Sequence, residues 1–317
     1  MSLSRSPALL ADRLIGCLVG GAIGDAWGFP HEGSAIPAAV GPYPVGPFSD
    51  ETQLVMATCD AIIRSGRVDP AEIADRMVLR FGRHAIPGLG ASTLQALRNL
   101  EAGAHWALAG ARGDRAAGNG PATRIAPLAY LLDPEVRADR DRIRDVCRIT
   151  HHHEQAYAGA LAMILAIRWA ASVEAHAAEP LVRHVADRLP DCAVRDRLHE
   201  LEPLDPLLPP REVAARFGAS GHVAESVPLA LFSAQGAHER PFAEVVRAAI
   251  EAGGDADSIG SMVGQIAGAA VGIQSIPARL RDRIPDIARV HDFAVALARV
   301  AQGDPGIPPD PPVPGHP

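Results

Sequence analysis

Two segments at opposite ends of the chain, Ser49-Asp50-Glu51-Thr52 and Gly253-Gly254-Asp255-Ala256-Asp257-Ser258, crowd carboxylates and hydroxyls into a few residues each. Hard cations such as Mg²⁺, Mn²⁺ and Ca²⁺ take oxygen ligands, so the two segments together offer the donors to neutralise and coordinate one or two such ions. Read singly, each also fits a helix N-terminus, where Ser or Asp caps the first turn and carboxylates complement the helix dipole. Zinc is the poorer match, because neither segment has thiolate or imidazole neighbours.

Weaker signals lie between them. Gly118-Asn119-Gly120 is either a donor-rich loop for a phosphate or ribose or an ordinary turn. The triplet His151-His152-His153 does not read as a zinc site, since adjacent residues at a helix start point in different directions. One polar contact and two surface histidines is the expected arrangement.

The elements that position these residues read as helices. Leu14, Leu18 and Ala22 recur at helical spacing through a run of small residues, and the break at Gly24-Asp25-Ala26-Trp27-Gly28 predicts an end near Asp25. Val55, Cys59 and Ile62 make one helical face after the first acidic segment. Asp69-Pro70-Ala71-Glu72 has the form of a helix start, running to about Phe81. Tyr157, Ala160, Ile164 and Ile167 share a face in what should be a central helix, and Ile259, Met262, Val263 and Ile266 do so after the second acidic segment. Residues 110–127 read as a loop with Arg124 at its exit, and 180–210 as short peripheral helices.

Aromatic residues make up only 4% of 317 residues while 48% are hydrophobic, which favours closely packed helices over strands and predicts an all-α fold. We expect one helical domain over residues 1–303 and a Pro-rich extended tail over 304–317. A net charge of −7 gives no support for stable nucleic-acid or membrane-surface binding, whose footprint would be a basic face. Four scattered cysteines without a C-x-x-C pair, and no convincing signal peptide, place the protein in the cytoplasm.

The order of the segments resembles the ADP-ribosylglycohydrolase family. The matching elements are Gly20-x-Ala22-Ile23-Gly24-Asp25-Ala26-x-Gly28 with Glu32, Ser49-Asp50-Glu51-Thr52-Gln53, Gly118-Asn119-Gly120 with Arg124, Thr150-His151, Glu225-Ser226-Val227-Pro228, and Gly253-Gly254-Asp255-x-Asp257-Ser258. The resemblance implies a compact multi-helix domain with two Mg²⁺ or Mn²⁺ ions at the base of an ADP-ribose cleft. Carried onto this sequence, the metal ligands are Ser49, Asp50, Glu51, Asp255, Asp257 and Ser258. Gly118, Asn119, Gly120 and His151 face the diphosphate and riboses. Glu32 and Asp50 are the candidates for proton transfer during hydrolysis at C1″ of the distal ribose.

Three exchanges depart from the family's usual motifs. Ser49 and Ser258 stand where threonine is usual and keep a coordinating hydroxyl, whereas Glu51 stands for aspartate and reaches one methylene further. The implied partners are ADP-ribose and an ADP-ribosylated protein, nucleic acid or small acceptor. Two other functions fit the same motifs: a non-catalytic ADP-ribose-binding module with an altered metal site, and a metal hydrolase acting on another ribosyl or phosphoester substrate.

Overall fold

Small residues at four-residue intervals place themselves on one face of a helix, and in this chain two such stripes meet. The computed structural model describes residues 6–34, 40–83, 86–172 and 179–304, and the tail expected over 304–317 lies, from residue 305 on, outside them. Helices make up 67% of the protein, and among the described residues there is no strand beyond isolated bridging pairs, so the fold is all-α. In chain order the first helices are α1 (Pro7–Gly28), α2 (Asp50–Ser65), α3 (Pro70–Arg83), α4 (Ala91–Glu101), α5 (Trp106–Ala109), α6 (Gly120–Arg124), α7 (Arg137–Arg148) and α8 (Glu154–Ala170). They are followed by α9 (Leu181–Ala186), α10 (Ala193–Leu201), α11 (Pro210–Phe217), α12 (Val223–Ser233), α13 (Phe242–Ile250), α14 (Ala256–Val271), α15 (Ala278–Arg281) and α16 (Ile287–Ala301).

The two stripes belong to α1 and α14. A Cβ on Gly16, Gly20, Gly24 or Gly28 would sit 2.4, 2.3, 1.9 or 2.2 Å from the carbonyl oxygen of Gly268, Gly264, Gly260 or Ala256 respectively. Ascending numbers in α1 meet descending numbers in α14, so the helices run antiparallel with their backbones in contact. Glycine inside a helix costs about 0.5–1 kcal/mol against alanine, and close backbone packing with Cα–H···O contacts of about the same size offsets that loss. The register brings the C-terminal end of α1 to the N-terminal end of α14. Both ends carry carboxylates.

This contact also explains why α1 outruns its expected end. The break predicted at Asp25 does not occur, because Gly24 and Gly28 are spaced to continue the stripe, and the helix passes into a 3-10 turn at Phe29–His31. By length and composition residues 7–31 would suffice to cross a membrane, but from Gly16 to Gly28 every residue is buried within the fold. Around this pair, α8 is the expected central helix, buried from Ala156 to Ala170, and α16 packs on α1 and α2.

Two further expectations are corrected. Segment 110–127 is not an open loop: it winds into a 3-10 turn at Asp114–Ala116 and α6, and Arg124 is 1% exposed beneath the surface. The short helices α9 and α10 are not merely peripheral, since Leu181, Val185, Val194 and Leu198 all reach the common core. Their short apolar runs are too brief for periodicity to reveal.

Gly24→Ala should lower the unfolding free energy by about 3 kcal/mol, against alanine's better helix propensity, because the added methyl meets a carbonyl that cannot move aside. Gly82→Ala, on α3 where the nearest atom to a new Cβ is 3.8 Å away, should instead stabilise by about 0.5–1 kcal/mol. Urea midpoints at constant m-value read both.

Candidate active site

Asp25 is a charged residue inside an apolar helix and is fully buried, so its carboxylate must find donors. It finds them at the start of α2: Ser49 N–H donates to Oδ1 at 2.8 Å, and Thr52 donates to Oδ2 from its N–H at 3.0 Å and its hydroxyl at 2.5 Å. Asp25 thereby pins the first acidic segment to α1. Ser49 completes the cap, its Oγ accepting from Glu51 N–H at 3.3 Å. The carboxylate of Asp50 is left to face a cleft of about 510 Å³.

The second acidic segment is bent into place by Gly253 and Gly254, at φ +76° and +73°, a conformation that favours glycine. Gly33 N–H donates to Gly254 O and Gly254 N–H to Ser34 O, both at 2.8 Å, while Asp255 N–H donates to Ala219 O at 2.8 Å. A Cβ at Gly254 would lie 2.1 Å from that Ala219 oxygen. This backbone clasp sets Glu32 beside the segment, and one carboxylate oxygen each from Glu32, Asp255 and Asp257 lies within 4.8 Å of the others.

Asp255 sits at the N-cap of α14, yet its side chain makes no capping bond. Asn119 instead donates to Asp255 Oδ2 at 2.7 Å and to Ser226 Oγ at 3.1 Å, so the amide expected to face ligand holds a carboxylate in position while lining the cleft. Asp257 accepts from Ser258 N–H at 2.8 Å. Ser258 Oγ donates to Glu51 Oε1 at 2.5 Å, and the Thr123 hydroxyl donates to Glu51 Oε2. The longer side chain of Glu51 thus spans α2, α6 and α14.

Of the residues singled out in the sequence, Glu32, Asp50, Glu51, Gly118, Asn119, Gly120, His151, Asp255, Asp257 and Ser258 all line this one cleft. Ser49 does not; it is fully buried and serves as the cap of α2. His151 is buried, and His153 caps α8 by accepting from Gln155 N–H at 3.1 Å. Sequence reading missed Thr123 and gave no role to three supports it quoted only as motif residues: Asp25, Ser226, and Glu225, which accepts from Ser220 N–H and Oγ and shapes the cleft edge at Ser220 and Gly221. For Asp25 a signal was present, since a lone carboxylate in an apolar helix demands a partner. Arg115, also on the cleft wall, is exposed and makes no hydrogen bond or ion pair among the described residues.

Burial, joined by the charges of Asp25, Asp255 and Glu32, raises the Asp50 carboxyl to about 7. Burial and then Asp255, Asp25 and Glu32 raise Asp257 to about 9. Glu51 is pushed well up by burial, Asp50 and Asp257, and Glu32 is raised by burial and by Asp255. Carboxylates held this close without counter-charge resist ionisation. A hard divalent cation relieves that repulsion, so the donor set fits such an ion in chemistry and in spacing.

The α-helical scaffold thus gathers oxygen donors from both ends of the chain onto one cleft floor, a donor set whose chemistry suits a hard cation. The chain belongs to the ADP-ribosylglycohydrolase family, whose model matches residues 6–306, and is a hydrolase of that generally metal-dependent type. ADP-ribosylhydrolase ARH3 of Danio rerio is 27% identical over 92% of this chain and 91% of that protein. ADP-ribosylarginine hydrolase Tri1 of Pseudomonas putida is 25% identical over 92% of this chain and 79% of that protein. A solved structure described as an ADP-ribosylglycohydrolase-related protein complex has a TM-score of 0.68 at 25% identity, covering 93% of this chain and 99% of that one.

These carboxyl groups bind protons more tightly in the folded, cation-free protein than in the unfolded chain. Their stabilising contribution is then complete below the unfolded pKa, about 4, and is lost as pH rises through the folded values. The thermal midpoint of chelator-treated protein should fall between the ordinary carboxylate range and about pH 9, the value reached by Asp257. Saturating Mn²⁺ should flatten that fall. A midpoint that climbs over the same interval without cation would contradict the like-charge cluster.

Proposed function

We propose that this protein hydrolyses the C1″ glycosidic bond between ADP-ribose and a modified acceptor, using two Mg²⁺ or Mn²⁺ ions. The observation that carries the reading is the meeting of Glu32, Asp50, Asp255 and Asp257 at a cleft whose other wall is Gly118, Asn119, Gly120 and His151. Asp50, Asp255, Asp257 and Ser258 would hold the ions, with Glu32 beside them and Glu51 in the same set; Ser49, a ligand by the family resemblance, is turned instead to capping α2. Bound there, hard divalent cations supply Lewis acidity toward the ribose hydroxyls and the attacking water.

The residues of this chain do the rest. In this reading Glu32 or Asp50 takes a proton from water as its oxygen bonds to C1″ and returns it to the acceptor as the C1″–acceptor bond breaks. Arg115 supplies positive charge on a wall otherwise rich in carboxylates, which suits an anionic diphosphate. The partners are ADP-ribose and an ADP-ribosylated acceptor. We infer neither a membrane association nor stable nucleic-acid binding, and a cytoplasmic location accords with four unpaired cysteines, three of them buried.

One observation favours a second reading, a binding module without turnover: both Glu51 oxygens are engaged by the hydroxyls of Thr123 and Ser258. Conjugates of ADP-ribose through arginine, serine, a terminal phosphate and a nucleobase, incubated with Mg²⁺, Mn²⁺ or chelator, separate the two. Metal-dependent release of ADP-ribose from at least one conjugate is expected, falling about 100-fold or more in Asp50→Ala and in Glu32→Ala. Full turnover in both variants would remove them from the proton-transfer role. ADP-ribose binding without release from any conjugate would favour the module.

A further inference from the structure

The face of His151 that meets the cleft is governed by two residues behind it. Thr150 and His151 are held in register by Ala111, whose N–H donates to Thr150 O at 2.9 Å and whose carbonyl accepts from His152 N–H at 2.8 Å. The imidazole then lies between two glycines of the opposite wall. A Cβ on Gly118 would stand 2.9 Å from His151 Nε2, and one on Gly120 would stand 3.0 Å from Cε1. His151 is 4% exposed and its Nε2 has no hydrogen-bond partner among the described residues.

Behind the ring, Arg124 Nη2 donates to Thr150 Oγ1 at 2.6 Å, and Thr150 Oγ1 lies 2.8 Å from His151 Nδ1. A guanidinium has donors only, so the first of these bonds has a fixed direction. The Thr150 hydroxyl, itself fully buried, then has a proton of its own to place, and His151 Nδ1 is the acceptor within reach. Were Nδ1 protonated instead, two donors would converge on one oxygen and the hydroxyl proton would be buried without an acceptor. Native interiors avoid that arrangement.

We propose that Arg124 and Thr150 are positioning residues that lock His151 as a neutral imidazole with its proton on Nε2, so that it presents a hydrogen-bond donor to an oxygen of the bound ligand. The direction of the ring follows from these residues alone; its use on a ribose or phosphate oxygen rests on the ADP-ribose reading above. Charge agrees with the geometry: burial, then the charges of Arg124 and His153, lower the His151 pKa to about 3, so the ring stays neutral through the physiological range. The cleft wall opposite the carboxylates is therefore a donor that does not switch with pH. With Nδ1 aimed inward and occupied by the Thr150 hydroxyl, His151 has no part as a general base toward the cleft.

Ring ¹⁵N signals of the full-length, ¹⁵N-labelled protein test the lock, with His151 identified by comparison with His151→Gln. The expected pattern is unprotonated Nδ1 and protonated Nε2, unchanged from pH 8 to pH 5. A protonated Nδ1, or an imidazolium at pH 6–7, would overturn the proposal. Thr150→Val should scramble the tautomer and weaken ADP-ribose binding about tenfold, the scale of one lost hydrogen bond, and Thr150→Ser should restore both. A purely structural role would lower the melting temperature of Thr150→Val while leaving the ring pattern and affinity intact, and that result would also defeat the proposal. Wild-type protein that shows the expected tautomer but does not bind ADP-ribose would refute the functional reading and, with it, the ligand-donor role, while leaving the tautomer lock standing.

Discussion

Everything at the cleft depends on how closely α1 and α14 approach. With side chains at the contact, helix axes stand 8–10 Å apart; with glycine facing glycine the backbones touch, and Gly24 has no room for even one methyl group beside Gly260. That approach puts Asp25 and the Glu32 turn within reach of Asp255 and Asp257. A bulkier seam would separate the two halves of the site by more than a carboxylate can span. Gln265 on the same α14 donates to Thr123 O at 2.5 Å, so the helix also ties down the residue that holds Glu51.

The site is built against its own electrostatics. Four carboxyl groups on or beside the cleft floor are raised by burial and by one another, and the protein offsets this with directed hydrogen bonds rather than with a basic side chain in contact. Asn119 fixes Asp255, Ser258 N–H fixes Asp257, and two hydroxyls fix Glu51. Arg124 lies close enough for its charge to be felt by Glu51 and Asp50, but its one short hydrogen bond goes to Thr150. Such a set would suit the cation of the proposed function: its members are oriented, and their repulsion is the part an ion would remove.

Most of the helices and the two acidic segments were legible in the sequence because they rest on short-range signals: apolar periodicity, caps and clustered carboxylates. What escaped was long-range. The Gly16, Gly20, Gly24 and Gly28 spacing reads locally as a break in a helix, and only the matching stripe at Gly260, Gly264 and Gly268 turns it into a contact. Arg124 looked like a loop exit because burial depends on what packs over α6 and not on the turn residues beside it. Thr123 gave no signal and Ser226 stood only as part of a family motif without a role, since a single hydroxyl acquires meaning only from the partner that tertiary structure brings to it. Glu51 was legible as an exception, but not as a brace across three helices.

The antiparallel seam between α1 and α14 has a consequence for how the molecule comes into being. Its pairs, such as Gly16 with Gly268 and Gly24 with Gly260, join parts of the chain that emerge from the ribosome far apart in time. Local helices can form early, yet closing so long a loop is entropically deferred and contributes to a high contact order. No partial chain lacking α14 can assemble the carboxylate floor. On the proposed metal-dependent reading, cation affinity would be acquired late and at once, as a mark of completed folding rather than a seed for it.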